Sequence, residues 1–198
     1  MTQEAISNPV ELFDKATQHA RVVLAGVQQD QLGSPTPCSE WNVKDLINHL
    51  IGGAENAKAA LTGNPGQMEF CTSKSSCSAE TDAGKLASAY NARISEALEA
   101  ASRPGALEFK VPSPIGDMTS GQFLAAIFMD QLIHVWDLAK ATDQNTRLDP
   151  GLVELCYAMC VPDMVDMGRA MGVIGPVVPV PDRASTQDKL LGYLGRQP

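Results

Sequence analysis

DQLIHVWDLA (residues 130–139) sets a histidine, a tryptophan and two aspartates into an otherwise apolar run. Asp130 and His134 are four residues apart, so on a helix they stand one turn apart on the same face. At helical spacing around His134 lie Ile127, Gln131, Leu138 and Ala141, a largely apolar stripe. A buried carboxylate and imidazole must be paired or bound to something. Two readings follow from this pair. In the first, Asp130 and His134 hydrogen-bond to each other or Asp130 meets a distant arginine; in the second, the two are ligands of one metal. Zinc accepts both ligand types, and helical bundles build such sites from facing helices.

An upstream stretch, DLINHL (residues 45–50), repeats the aspartate-to-histidine spacing with Asp45 and His49. The helix around it, expected from about Val43 to Leu61, turns Leu46, His49, Leu50, Gly53 and Ala57 inward. His49 therefore offers a third ligand from a second helix, leaving a position open for water or substrate. His49, Asp130 and His134 together are two histidines and one carboxylate. That set suits zinc and is also the ligand type of non-haem ferrous sites. Asp45 has a different explanation. Asn42 is a good N-cap, which puts Asp45 at the third helical position, beside free backbone N–H groups. Asp137 is either a partner for the free ring nitrogen of His134 or an outward salt-bridge residue. His19 has no coordinating neighbour alongside and reads as a surface or boundary histidine.

The rest of the chain is also helical. Asn8 and Pro9 open an amphipathic segment with Val10, Phe13, Ala16, Ala20, Leu24 and Val27 on one face. A third helix is predicted from about Asp82 to Ala101, and a fourth, capped by Thr119 or Ser120, to about Thr142. Asp149 and Pro150 start a fifth, interrupted near Pro162. Its methionines, Met159, Met164, Met167 and Met171, read as core by default, with a dimer face as the alternative. STQDKLLGYLG ends the chain as a short helix, and ALEFKVPSPIGDMTS has room for a short strand or hairpin. Residues 63–80 are rich in Gly, Pro, Ser and Thr, and a mobile, exposed loop is expected there. The expected fold is an all-α four-helix bundle over residues 1–171, with one or two further short helices. Residues 172–198 form an extended, proline-rich tail whose short helix packs on the same domain.

Composition narrows the function classes. Hydrophobic residues are 44% and charged residues 19% of the 198, the balance of a globular chain. The net charge of -8 comes with no basic stripe, so no nucleic-acid partner is expected. No apolar run approaches the ~20 residues of a membrane span. MTQEAISNPVELF lacks the pattern of a signal peptide, and the expected location is cytoplasmic. The five cysteines, Cys38, Cys71, Cys77, Cys156 and Cys160, are read as free thiols. Cys156 and Cys160 are taken as small buried residues. Cys38, just before the second helix, could approach a site entrance, though a structural role is the expectation.

TPCSEWNVKDLINHLIGG (residues 36–53) and DQLIHVWDLAKATDQ (130–144) resemble two signatures of the DinB-like superfamily, in its mycothiol-dependent maleylpyruvate isomerase N-terminal branch. GPVVPVPDRASTQDKLLGYLGRQP resembles the ending of its short actinobacterial metal-binding members. The resemblance covers most of the chain in matching order. It implies a DinB-like bundle holding a divalent metal, usually zinc, with iron and nickel as alternatives. It puts the ligands at His49, Asp130 and His134, the positions reached above from spacing. It also implies a low-molecular-weight thiol such as mycothiol as co-substrate, in isomerisation or S-transfer to an electrophilic substrate. The full isomerase carries a further C-terminal domain, for which residues 172–198 leave little room, so the electrophile is undefined. The expected function is thus a zinc-dependent thiol S-transferase or isomerase, monomeric or homodimeric. None of the chain's own cysteines is needed as nucleophile, and no catalytic residue is named. Two alternatives stand beside it: a metal-dependent hydrolase, with Asp137 or Glu55 as candidate bases, and a metal- or ligand-binding protein without turnover.

Overall fold

The computed structural model describes residues 8–69, 80–113, 116–160 and 162–198. Residues 70–79, most of the loop expected to be mobile, lie outside this range, and Cys71 and Cys77 with them. The chain forms two compact units, Ser7–Thr146 and Arg147–Pro198.

The larger unit is the four-helix bundle. Helix α1 spans Pro9–Gly26, α2 Val43–Leu61, α3 Ala83–Ala101 and α4 Ser120–Ala141. Each starts where a side chain relieves free N–H groups. Asn8 accepts from Glu11 N, Asp82 from Lys85 N and Thr119 from Gln122 N. At α2 the cap is reciprocal. Asn42 Oδ1 accepts from Asp45 N at 2.9 Å, and Asp45 Oδ2 accepts from Asn42 N at 3.2 Å. Asp45 is thereby a capping residue, as its position in the sequence implied. Between α3 and α4 a two-residue antiparallel ladder, β1 (Lys110–Val111) with β2 (Met118–Thr119), realises the expected hairpin.

The helices pack in the ring order α1–α4–α2–α3, each against two neighbours. Phe13, Leu46, Ile47, Leu50, Tyr90, Ile94, Leu124 and Phe128 fill the interior. Helix α4 is buried on every side along Gln131–Ala139, as an interior helix is. The contact of α2 with α4 matters most for function, since it sets the helix of His49 beside that of Asp130 and His134.

That contact is close because of Gly53. A Cβ on Gly53 would lie 2.9 Å from Gln131 Nε2 and 3.8 Å from Asp130 Oδ2. Gln131 cannot easily yield. Its Nε2 donates to the Leu50 carbonyl at 3.0 Å and its Oε1 accepts from the Tyr90 hydroxyl at 2.7 Å. Burial pushes the Tyr90 phenol far above its ordinary pKa, so it stays a donor.

In the smaller unit α5 is Pro150–Met159, α6 Pro162–Ala170 and α7 Thr186–Tyr193. Asp149 caps α5 and Ser185 caps α7. Helices α5 and α7 pack together, and Leu148 N donates to Gln187 Oε1 at 3.0 Å. The chain entering α7 passes close to Gly192, whose N-terminal neighbour in space, the Val178 carbonyl, leaves no room for a Cβ. The break expected near Pro162 separates α5 from α6. It also overturns the reading of the methionines as core. Met164 and Met171 are exposed, and Met159 and Met167 are half-buried. The interruption shifts the helical phase, so the four no longer share one stripe, and Val165 and Gly168 are buried on α6 instead. Cys156 is buried as expected and Cys160 half-buried. No helix among the described residues is long and apolar enough to cross a membrane.

Gly53→Ala is expected to lower the melting temperature. Alanine would raise helix propensity by about 0.8–1.0 kcal/mol at an exposed position, so a destabilised variant in a thermal melt reports the clash with Gln131. A stabilised variant would mean that α2 and α4 are not held this closely.

Candidate functional site

Helices α2 and α4 bring the three predicted residues together. His49 Nε2 lies 3.2 and 3.1 Å from the two carboxylate oxygens of Asp130. His134 Nε2 lies 3.5 Å from Asp130 Oδ1. The two imidazoles meet edge-on, with ring centroids 4.6 Å apart and planes at 76°. One ligand atom from each of the three falls within 4.8 Å of the others. Side-chain exposure is 21% for His49, 31% for Asp130 and 11% for His134, so the cluster is sunk between the helices but reachable.

The loop before α2 supplies two more groups. Trp41 is half-buried, its ring 4.4 Å from that of His49 and 5.5 Å from that of His134. It walls one side of the cluster. Cys38 Sγ lies 3.3 Å from Asp137 Oδ2 and 3.7 Å from His134 Nδ1. Asp137, fully buried, accepts from His134 Nδ1 at 3.0 Å. Of the two readings of Asp137, the partner of His134 is therefore the one realised. The loop is shaped by its own bonds. Cys38 N donates to Thr36 Oγ1, Trp41 N to the Cys38 carbonyl, and Val43 N to the Ser34 carbonyl.

Sequence reading missed Trp41 and undervalued Cys38. Helical periodicity carries no information about a loop, and only the short distance from the Asn42 cap hinted that both would sit at the start of α2. His19 is half-buried on α1 and joins neither ligand cluster among the described residues. Glu55, offered as a hydrolytic base, is engaged with Arg93 at 2.9 Å in a polar groove between α2 and α3 that none of the three cluster residues lines. Asp137 lies against Nδ1 of His134, the ring nitrogen opposite the one that faces Asp130. Neither proposed base is thus placed at the convergent side of the cluster.

A Cys–His–Asp set invites comparison with a nucleophilic triad. The geometry differs. In a triad the acid and the nucleophile use opposite ring nitrogens, whereas Cys38 and Asp137 both approach Nδ1 of His134.

Charge in the cluster is strongly coupled. Desolvation works against ionised Asp130, but His49 and then His134 outweigh it and hold the carboxyl far below its usual range. Desolvation also works against protonated His134. Asp130, then Asp137 and Cys38, outweigh it and push the imidazole well above its ordinary value. The Asp130 carboxylate thus carries its negative charge between the two imidazoles. A proton on His134 offsets that charge.

The donors fit a divalent ion. Tetrahedral ligands at ~2.0–2.2 Å from zinc stand about 3.3–3.6 Å from one another, close to the 3.2 and 3.5 Å that separate Asp130 Oδ1 from the Nε2 atoms of His49 and His134. No fourth His, Cys, Asp or Glu joins this cluster among the described residues. A second group, Cys38, His134 and Asp137, could also hold an ion, but it uses a fully buried carboxylate and the Nδ1 edge of the same imidazole.

Residues 13–139 match the family model described as the mycothiol maleylpyruvate isomerase N-terminal domain. The chain belongs to this family. The match takes in α2 and α4 up to Ala139, and so every residue of the cluster. Two proteins of Mycobacterium tuberculosis, from strains CDC 1551 / Oshkosh and ATCC 25618 / H37Rv, both described as uncharacterized, are related. Each is 32% identical over 193 residues, covering 96% of this chain and 98% of its own. The crystal structure of a histidine-to-alanine mutant of mycothiol-dependent maleylpyruvate isomerase shares the fold. Its TM-score is 0.59 at 15% identity, covering 91% of this chain and 78% of that one. The DinB-like bundle implied by the two signatures is the fold observed.

The metal-free protein should show the pairing as a pH dependence. His134, with its raised value, adds stability that is complete below its ordinary 6.5 and lost as pH rises through the raised value. Asp130, with its depressed value, adds stability present above 3.8 and lost as pH falls through the depressed value. In chelator-treated protein the melting temperature should therefore fall as pH rises beyond neutrality. His134→Gln should flatten that fall. Equal slopes in the two proteins would contradict the assignment.

Proposed function

We propose that this protein is a zinc-dependent enzyme that joins a low-molecular-weight thiol of the mycothiol type to an electrophilic carbon, in S-transfer or isomerisation. The observation that carries the reading is the convergence of His49, Asp130 and His134 from two helices, with no fourth protein ligand in that cluster among the described residues. A site of that composition keeps a place for an exogenous group, whereas a closed structural zinc site has four protein ligands. The family description supplies the thiol, since it names mycothiol and an isomerase. A bound divalent ion there supplies Lewis acidity that favours the thiolate form of a thiol near neutral pH.

The chain's own residues then have distinct tasks. His49 and His134 would hold the ion through their Nε2 atoms, and Asp130 would add negative charge that offsets it. Asp137 accepts a hydrogen bond from Nδ1–H of His134, which leaves Nε2 free to face a metal. Trp41 shields the imidazoles on one side and offers an apolar face to whatever enters. No protein thiol is needed as the nucleophile. The polar groove carrying Glu55 is not lined by any of the three cluster residues.

Alanine at His49, Asp130 or His134 should remove most bound metal, thiol consumption with an electrophile, and the melting-temperature rise that added zinc gives the folded protein. His19→Ala should keep all three, and Asp45→Ala should lose only stability, by about 0.3–1.5 kcal/mol. The measurements are metal content after purification without added metal, zinc-dependent melting, and mycothiol consumption against a panel of electrophiles. If His134→Ala and His19→Ala retain metal equally, the reading fails.

A further inference from the structure

We propose that Cys38 is a positioning residue for the metal ligand His134, acting through Asp137. The inference rests on the reading of His134 as a ligand and goes beyond it, because it gives a task to a thiol which that chemistry does not use.

Asp137 is the starting point. Its side chain is fully buried, and a buried carboxylate is tolerated only when donors surround it. An ionised carboxylate accepts and never donates. Both groups at Oδ2 must therefore point hydrogens at it: Nδ1–H of His134 at 3.0 Å and S–H of Cys38 at 3.3 Å. The first bond fixes which nitrogen of His134 carries the proton and so leaves Nε2 to face Asp130 and His49. The second adds a constraint on the oxygen that makes the first. Asp137 sits three residues after His134 on α4, so backbone geometry brings the two near each other but does not fix the carboxylate's rotation. Cys38 reaches the same oxygen from a different element.

That element is itself held. Thr36 Oγ1 accepts from Cys38 N at 3.1 Å and lies 2.9 Å from the Trp41 carbonyl. Val43 N and Lys44 N, at the start of α2, donate to the carbonyls of Ser34 and Leu32. The sulfur is thus placed by the loop that leads into the helix of His49. Through Cys38 and Asp137, the orientation of the ligand on α4 is referred to the helix that carries the ligand on α2. The sulfur itself sits on the Nδ1 side of the ring, 3.7 Å from that nitrogen, away from the Nε2 atoms that converge with Asp130. This places it as a support for the ligand and not as a ligand of the three-residue cluster.

The test compares Cys38→Ala with Cys38→Ser. Serine keeps a donor but is a poor zinc ligand; alanine keeps neither property. Zinc affinity is measured against a chromophoric chelator, without added thiol, together with the metal-free melting temperature and the ring N–H signal of His134 Nδ1 by NMR. Cys38→Ala is expected to weaken zinc binding about tenfold, the lower end of losses on removing a ligand's hydrogen-bond partner. Its metal-free melting temperature should fall modestly, because the buried Asp137 carboxylate loses a donor, and its Nδ1–H should exchange faster with water. Cys38→Ser should recover most of the affinity and the slow exchange. The Co2+-loaded wild type should show no thiolate-to-cobalt charge-transfer absorption.

Wild-type affinity and exchange in Cys38→Ala would overturn the proposal. So would a serine variant as weak as alanine, or a charge-transfer band, since either makes Cys38 a ligand. If the wild type binds no zinc at all, the functional reading falls. The Nδ1–H signal still decides the role of Cys38, because that proton is present with or without metal.

Discussion

Asp130 stands between two imidazoles from different helices, and the bundle is arranged to make that placement tenable. A carboxylate sunk between helices needs donors or cations close by. His49 reaches it across the α2–α4 contact at 3.1 Å, and His134 reaches it from one turn along α4. The separation of α2 and α4 is therefore a functional quantity. It depends on the absence of a side chain at Gly53 and on Gln131, which is bonded to α2 through the Leu50 carbonyl and to α3 through Tyr90. A polar network in the core, directly beside the cluster, thus sets the distance over which a metal would be held. Such networks fix geometry strongly when every member is satisfied.

The same constraint explains the composition of α4. Its middle carries Asp130, Gln131, His134 and Asp137 within an otherwise apolar run, and the last three are buried. Each has a partner that is itself held: His49 for Asp130, Leu50 and Tyr90 for Gln131, Asp137 for His134, Cys38 for Asp137. The four polar residues that look out of place in the sequence are the ones that connect α4 to α2, to α3 and to the loop before α2.

Much of this was legible in the sequence because it depends on local chemistry. The caps at Asn8, Asn42 and Thr119 are side-chain signals read over three or four residues, and the structure realises each of them. The facing of His49, Asp130 and His134 follows from a 3.6-residue period, and the Asn42 N-cap, three residues before it, marks Asp45 as a capping residue. What escaped the reading depends on tertiary geometry. Trp41 and Cys38 lie in an irregular loop held by the Thr36 hydroxyl and by backbone bonds to the start of α2, and no periodic pattern predicts where such a loop delivers its side chains. The methionines after α5 were misread for a related reason: one helical phase was carried across Pro162, where the chain restarts.

The central claim is that one divalent ion belongs between His49, Asp130 and His134. Anomalous scattering at the zinc edge from crystals of the zinc-loaded protein tests it most directly. The account requires one peak, ~2.0–2.2 Å from Nε2 of His49, Nε2 of His134 and a carboxylate oxygen of Asp130, with a further non-protein ligand completing the shell. A peak bound instead by Cys38, Asp137 and Nδ1 of His134, or no peak in the bundle, would contradict it.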